Sequence, residues 1–170
     1  MSNMSIKALA VAAALVTAGP SHAVTLNVDS GWDRFSFFGV GTTVPRTFDV
    51  TLVANAFLTV VDGFFSGDRF EVFANLISLG QTSAPVDNGS AVGMRFDDAL
   101  TDPDFSSGRF ALGPGTYRIS FLVTERQGTD SERHLGALRV DTASVPLPAG
   151  GALLLSGLGL GAWLRRRRKT

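Results

Sequence analysis

Strict alternation of apolar and polar residues recurs through the middle of the chain and limits its fold more than any other feature. In "RTFDVTLV", Phe48, Val50 and Leu52 fall on one side of an extended backbone and Thr47, Asp49 and Thr51 on the other. "DRFEVF" sets Phe70 and Val72 against Arg69 and Glu71. "TYRISFLVTE" alternates Tyr117, Ile119, Phe121 and Val123 with Arg118, Ser120 and Thr124, and "ALRVD" closes with Leu138 and Val140. A period of two belongs to half-buried strands. "NAFLTVVDG" is apolar on both sides, which predicts a more central strand. Asp62-Gly63, Ser66-Gly67, Asn88-Gly89 and Gly113-Pro114-Gly115 predict turns between strands. Residues 94–106 predict one short helical turn. About eight strands are expected, so the fold class is all-β, an antiparallel two-sheet β-sandwich of jelly-roll-like form.

The N-terminus, "MSNMSIKALAVAAALVTAGPSHAVTLN", follows a different rule. Lys7 is the only charge before Asp29, and an apolar run extends from Ala8 to Ala18. Gly19 and Pro20 then break the helix, and Ser21-His22-Ala23 places small residues at −3 and −1 of a cut after Ala23. These are the parts of a secretory signal peptide, residues 1–23, addressed to the Sec translocon and signal peptidase. The alternative is a buried N-terminal helix, which would need cover on every side because it lacks a polar face.

The other end, "VPLPAGGALLLSGLGLGAWLRRRRKT", holds eighteen uncharged residues from Leu147 to Leu164. As a helix they extend about 27 Å at ~1.5 Å per residue, the short end of what crosses a hydrocarbon core of roughly 30 Å. Trp163 stands at the edge, and Arg165, Arg166, Arg167, Arg168 and Lys169 follow. Such a cationic cluster stays cytoplasmic, which puts the body on the far side of the membrane. Five glycines weaken the segment as a permanent anchor, although Gly157 and Gly161 form a GxxxG pair. Pro146 and Pro148 push the residues before them toward extended geometry, a shape suited to a protease.

These three parts, in this order, resemble the VPLPA variant of the PEP-CTERM sorting signal, with Val145, Pro146, Leu147, Pro148 and Ala149 at its motif. The resemblance covers 145–170 and implies processing by exosortase, a membrane-embedded cysteine transpeptidase or protease. It also implies a Gram-negative-type envelope and a link to exopolysaccharide or biofilm production. An ordinary tail anchor is the plainer alternative. The stretch "VVDGFFSGDRFEVFANLISLGQTS" is similar to the bodies of small PEP-CTERM proteins of the FxDxF type, although the literal pattern is missing. The expected organisation is a signal peptide (1–23), a sandwich domain (24–144) and a sorting signal with a transmembrane helix (145–170). The precursor would sit in the inner membrane with a periplasmic body, then move to the envelope or outside the cell.

Charge narrows the partners. Lys7, Arg165 to Arg168 and Lys169 lie in the terminal segments and all fifteen acids lie between, so the body carries about −6. No basic stripe is available for phosphates, which argues against nucleic acid. The chain has no cysteine, so disulfides, thiol nucleophiles and cysteine metal sites are excluded.

Candidate sites are few. His134 is the one histidine outside the signal segment; Asp130, Ser131 and Glu132 beside it point in different directions along an extended chain, so no catalytic group is assigned. "GVGTTV" (Gly39 to Val44) lacks the last glycine of a dinucleotide loop and reads as a turn. Asn88-Gly89-Ser90 is formally a glycosylation sequon but predicts a hairpin turn. In "RFDDALTDPDF", Asp97, Asp98, Asp102 and Asp104 offer oxygen ligands of the kind calcium takes; a solvated acidic loop whose aspartates bond their own backbone is the competing reading. Trp32, in "DSGWDRFSFF", is the candidate ligand-binding aromatic, with a core or edge plug as its alternative. Tyr117, opening a strand after Gly-Pro-Gly, resembles a tyrosine corner whose hydroxyl bonds back to the turn. Function is expected to be that of a non-enzymatic envelope or matrix protein, or alternatively of a secreted carbohydrate-binding or calcium-dependent adhesive module. A hydrolase would need a catalytic pair not visible in the sequence.

Overall fold

The structure, a computed structural model, describes residues 23–128 and 133–143. Residues 1–22 of the expected signal segment (1–23), and the motif, spanning helix and cationic cluster from Val145 to Lys169, lie outside the described residues. Ten strands and one helix follow in order: β1 (Ala23–Thr25), β2 (Asp33–Phe37), β3 (Thr47–Leu52), β4 (Ala56–Phe65), β5 (Arg69–Ala74), β6 (Ile77–Gln81), β7 (Ala91–Gly93), α1 (Phe96–Thr101), β8 (Ser107–Leu112), β9 (Gly115–Glu125) and β10 (His134–Thr142). They form two sheets. One runs β1-β3-β9-β5-β6; the other runs β2-β10-β4, with β8 and β7 sharing the far edge of β4. The protein is an all-β sandwich.

The alternating segments become the strands that face the interior. β3 buries Phe48, Val50 and Leu52, β5 buries Phe70 and Val72, and β9 buries Ile119, Phe121 and Val123. Facing them across the sandwich are Phe35 and Phe37 of β2, Leu58 and Val60 of β4, and Leu138 and Val140 of β10. The phenylalanines interlock: Phe35 stacks on Phe121 with centroids 4.5 Å apart and meets Phe70 edge-on at 5.3 Å, and Phe37 meets Phe70 at 4.9 Å. Offset and edge-on geometries are the favourable ones for aromatic pairs.

β4 is apolar on both sides because both of its faces are covered. Leu58 and Val60 enter the main core, whereas Val61 joins a second cluster with Val92, Phe96, Ala99, Phe105 and Ala137. The short helix α1 brings Phe96 and Ala99 to this outer face and is the helical turn expected within 94–106.

Several expectations require correction. Asp62-Gly63 is not a turn: both residues lie inside β4, paired with Gly136 and Leu135 of β10. Glycine is used there for close approach, since a Cβ at residue 63 would lie 2.6 Å from Phe96. Asn88-Gly89 does not close a hairpin, because β6 and β7 on either side belong to different sheets. Asn88 instead ties loops together, donating to Asp104 (2.7 Å) and accepting from Ser66 Oγ and the Ser90 amide. β1 pairs with β3 in parallel, so the sandwich is not wholly antiparallel, and the short β1 and β7 account for the excess over eight strands.

Gly113-Pro114-Gly115 joins β8 of one sheet to β9 of the other. Two residues into β9, the Tyr117 hydroxyl donates to Gly113 O at 3.1 Å. The side chain packs against the core while its tip fastens the corner.

Candidate functional site

The residues picked out by the sequence do not converge. Asp97 accepts from Trp32 Nε1 (3.1 Å) and Arg139 Nη1 (2.9 Å). Asp98 pairs with Arg95 at 3.2 Å. Asp102 accepts from the Asp104 amide at 3.0 Å, the local Asx geometry of a turn. Asp104 accepts from Asn88 and Ser90, and those two bonds hold its carboxyl below the ordinary range. The four carboxylates are thus divided among separate partners, and no metal-holding group of three His, Asp or Glu residues occurs among the described residues. Trp32 is half-buried, packed on Phe96 with centroids 5.9 Å apart and capped by the Arg139 guanidinium at 4.5 Å. That is a plug at the edge of the second cluster. Ala23 opens β1.

A buried polar group appears where the sequence suggested none. Asp62 and Asp68 are both fully buried, and His134 is nearly so. The Asp68 amide donates to Asp62 Oδ2 at 3.1 Å, the Gln127 amide donates to Asp68 Oδ1 at 2.9 Å, and His134 Nδ1 lies 2.6 Å from Asp68 Oδ2. Burial drives the Asp62 carboxyl well above its ordinary pKa, and the neighbouring Asp68 charge adds to this; nearby backbone amides oppose it. Asp68 is also raised by burial, against the Gln127 amide and then His134. The network links the end of β4, the start of β5, the end of β9 and the start of β10. An aspartate inside the apolar run of β4 was the one local signal of it.

The same corner of the molecule carries a groove on its surface. Arg34, Ser36, Arg46, Phe64, Arg133 and Leu135 surround a depression of about 410 Å³, within the size range of small-molecule sites. Arg34 and Ser36 come from the outward face of β2, and Arg46 reaches from the following loop to donate to Arg34 O at 3.2 Å. A second depression, about 300 Å³, shares Phe64 and Arg133 with the first. A third, also about 300 Å³, shares Phe65 and His134 with the second. The three depressions are thus linked in series by shared wall residues. On the opposite sheet a wider depression of about 780 Å³ has Arg118 on its wall, but that guanidinium is already clamped by both oxygens of Asp49 (2.8 and 3.0 Å). The groove arginines stand at positions 34, 46 and 133, too far apart in the chain to form any local motif.

Neither a protein-family model nor a curated protein matches the sequence. Among solved structures, the pre-peptidase C-terminal domain of collagenase from Bacillus anthracis is similar at 13% identity and a TM-score of 0.42, covering 71% of this chain and 96% of that one. So distant a likeness assigns no activity to this chain.

Proposed function

We propose that this is an exported, non-enzymatic component of the cell envelope or extracellular matrix, delivered by a C-terminal sorting signal. The observation that carries the reading is the sequence order at 145–170: an extended proline motif, an apolar span and a terminal cationic cluster. The fold is compatible with it. The described strands run from Ala23 to Thr142, so all of them except the first residue of β1 fall between the two proposed processing regions. We further read the sandwich as a jelly roll, because β2-β10-β4-β8 facing β3-β9-β5-β6 is the strand order of that arrangement. Exosortase is the proposed processing partner, and exopolysaccharide the proposed surroundings.

The test is fractionation with mass spectrometry of both protein ends, in hosts with and without exosortase. Wild type should begin at Val24 and lose its tail only where exosortase is present. Replacing Pro146→Ala together with Pro148→Ala should leave insertion intact but block processing, so a membrane-bound form accumulates. Equal processing of the double variant, or an intact wild-type tail beside exosortase, refutes the sorting reading.

A second reading, a secreted carbohydrate-binding module, is favoured by the groove and not by Trp32. The aromatic surface in the groove comes from Phe64 and Phe65, which are 46% and 42% exposed.

A further inference from the structure

Resting on that second reading, we infer that the groove running from Arg34 and Arg46 past Phe64 and Arg133 to Phe65 binds a linear acidic glycan.

Charge is the first argument. Among the described residues, Arg69, Arg95, Arg118 and Arg139 each pair with a carboxylate, and Arg109 lies over the Phe57 ring at 3.8 Å. Arg34, Arg46 and Arg133 form no ion pair with any described carboxylate, yet all three line the same depression. On a body of net charge about −6, three guanidiniums gathered without a carboxylate partner make a local positive patch. A guanidinium presents planar paired donors that suit carboxylate or sulfate oxygens. Arg46 also donates to the Arg34 carbonyl on β2, and Arg34 donates to Met94 Sδ at 2.8 Å, but these single bonds leave the rest of each donor fork available.

Backbone geometry is the second. Phe64 has a φ of 73°, left-handed for a bulky residue, and the β4–β7 register shifts between Phe64 and Phe65. A bulge of this kind re-aims side chains, and strain in a left-handed backbone is retained at ligand clamps more often than elsewhere. The result is two exposed rings, 5.1 Å apart and nearly perpendicular, on the groove wall. A phenyl face matches the C–H face of a pyranose ring, while the arginines match an acidic substituent on it.

Shape is the third. Three depressions sharing walls accommodate a chain of rings better than one compact anion. Three cations in an acidic body suit sparse charge, about one anion per sugar, and not the dense charge of a nucleic acid.

Calorimetric titration of the full chain at low ionic strength tests this with five probes: oligogalacturonate, a sulfated galactan oligosaccharide without carboxylates, a neutral cello-oligosaccharide, sodium sulfate and an oligothymidylate. At least one of the first two should bind, more weakly as salt rises, and the tighter of them identifies the carboxylate or the sulfate as the natural group. Arg34→Gln, Arg133→Gln and Phe64→Ala should each weaken binding about tenfold or more, as expected for loss of a charge-assisted contact or an aromatic platform. Melting curves matched to wild type establish that these variants are folded, and Arg34→Lys should restore only part of the affinity. No binding of either acidic glycan, or binding indifferent to all three variants, overturns the inference. Equal binding of the neutral oligosaccharide overturns the acidic site but keeps the carbohydrate-binding reading. Sulfate or oligothymidylate binding as tightly as the acidic glycans also overturns it, making the groove a general anion site.

Discussion

Adding one methyl group at Gly136 should measurably destabilise the sandwich. Gly136 sits in β10 opposite Phe35, and a Cβ built there lies 2.5 Å from Phe35 Cζ and 2.7 Å from Cε2. Phe35 cannot easily yield, because it is buried, stacked on Phe121 at 4.5 Å and held edge-on by Phe70 at 5.3 Å. Overpacking a close-packed core costs about 1–3 kcal/mol. No left-handed φ is involved at this glycine. Gly136→Ala therefore also gains about 0.4–1 kcal/mol from a less flexible unfolded chain. The net loss should be about 1–2 kcal/mol, a fall in Tm of roughly 3–10 °C for a body of this size. Urea denaturation should show a lower midpoint with an unchanged slope. Pairing the change with Phe35→Leu, which removes the clashing ring edge, should yield a double variant more stable than the sum of the singles by about 0.5–3 kcal/mol. If Gly136→Ala melts at or above wild type, or the cycle is additive, the proposed close fit between β10 and Phe35 is wrong.

Tyr117→Phe keeps the ring and removes the bond to Gly113, so it should cost about 0.5–1.5 kcal/mol; an unchanged urea midpoint would count against the corner. Asp62→Asn should raise stability at neutral pH, and by less as the pH falls. The folded-state pKa of Asp62 is raised, so its contribution is fully present below the unfolded value near 3.8 and is lost as pH rises through the folded pKa. Asparagine cannot ionise and keeps an oxygen for the Asp68 amide, so melting scans across pH should show the two proteins converging in acid; a constant offset would refute the assignment.

The half-buried strands were legible because each has a buried and a more exposed side, and alternation records that directly. β3, β5 and β9 show it residue by residue. Asp62-Gly63 misled because the dipeptide is a turn signal on local grounds, and only the approach of Phe96 explains a glycine in mid-strand. Asn88-Gly89 misled similarly: its bonds run to Asp104 and Ser66, which local turn chemistry cannot anticipate. In the acidic run from Asp97 to Asp104 the carboxylates take separate partners, Asp97 the distant Arg139 and Asp98 the neighbouring Arg95, and a local window shows only the second of these. The groove and the Asp62–Asp68–His134 network assemble residues from β2, β4, β10 and the loops beside them, so apart from Asp62 in the apolar run of β4 nothing in a local window marks them.

The position of β10 has a consequence for the order of events in the life of the chain. Among the described residues it is the last strand made, yet it lies between β2 and β4, bonded to both. A chain emerging from its N-terminus therefore holds two strand edges with a gap until residues 134–142 arrive. No partial product has a closed second sheet, and the core rings of β2 have no neighbour on their own sheet until the end. Because these pairings span most of the sequence, closure is slow and comes in one late step.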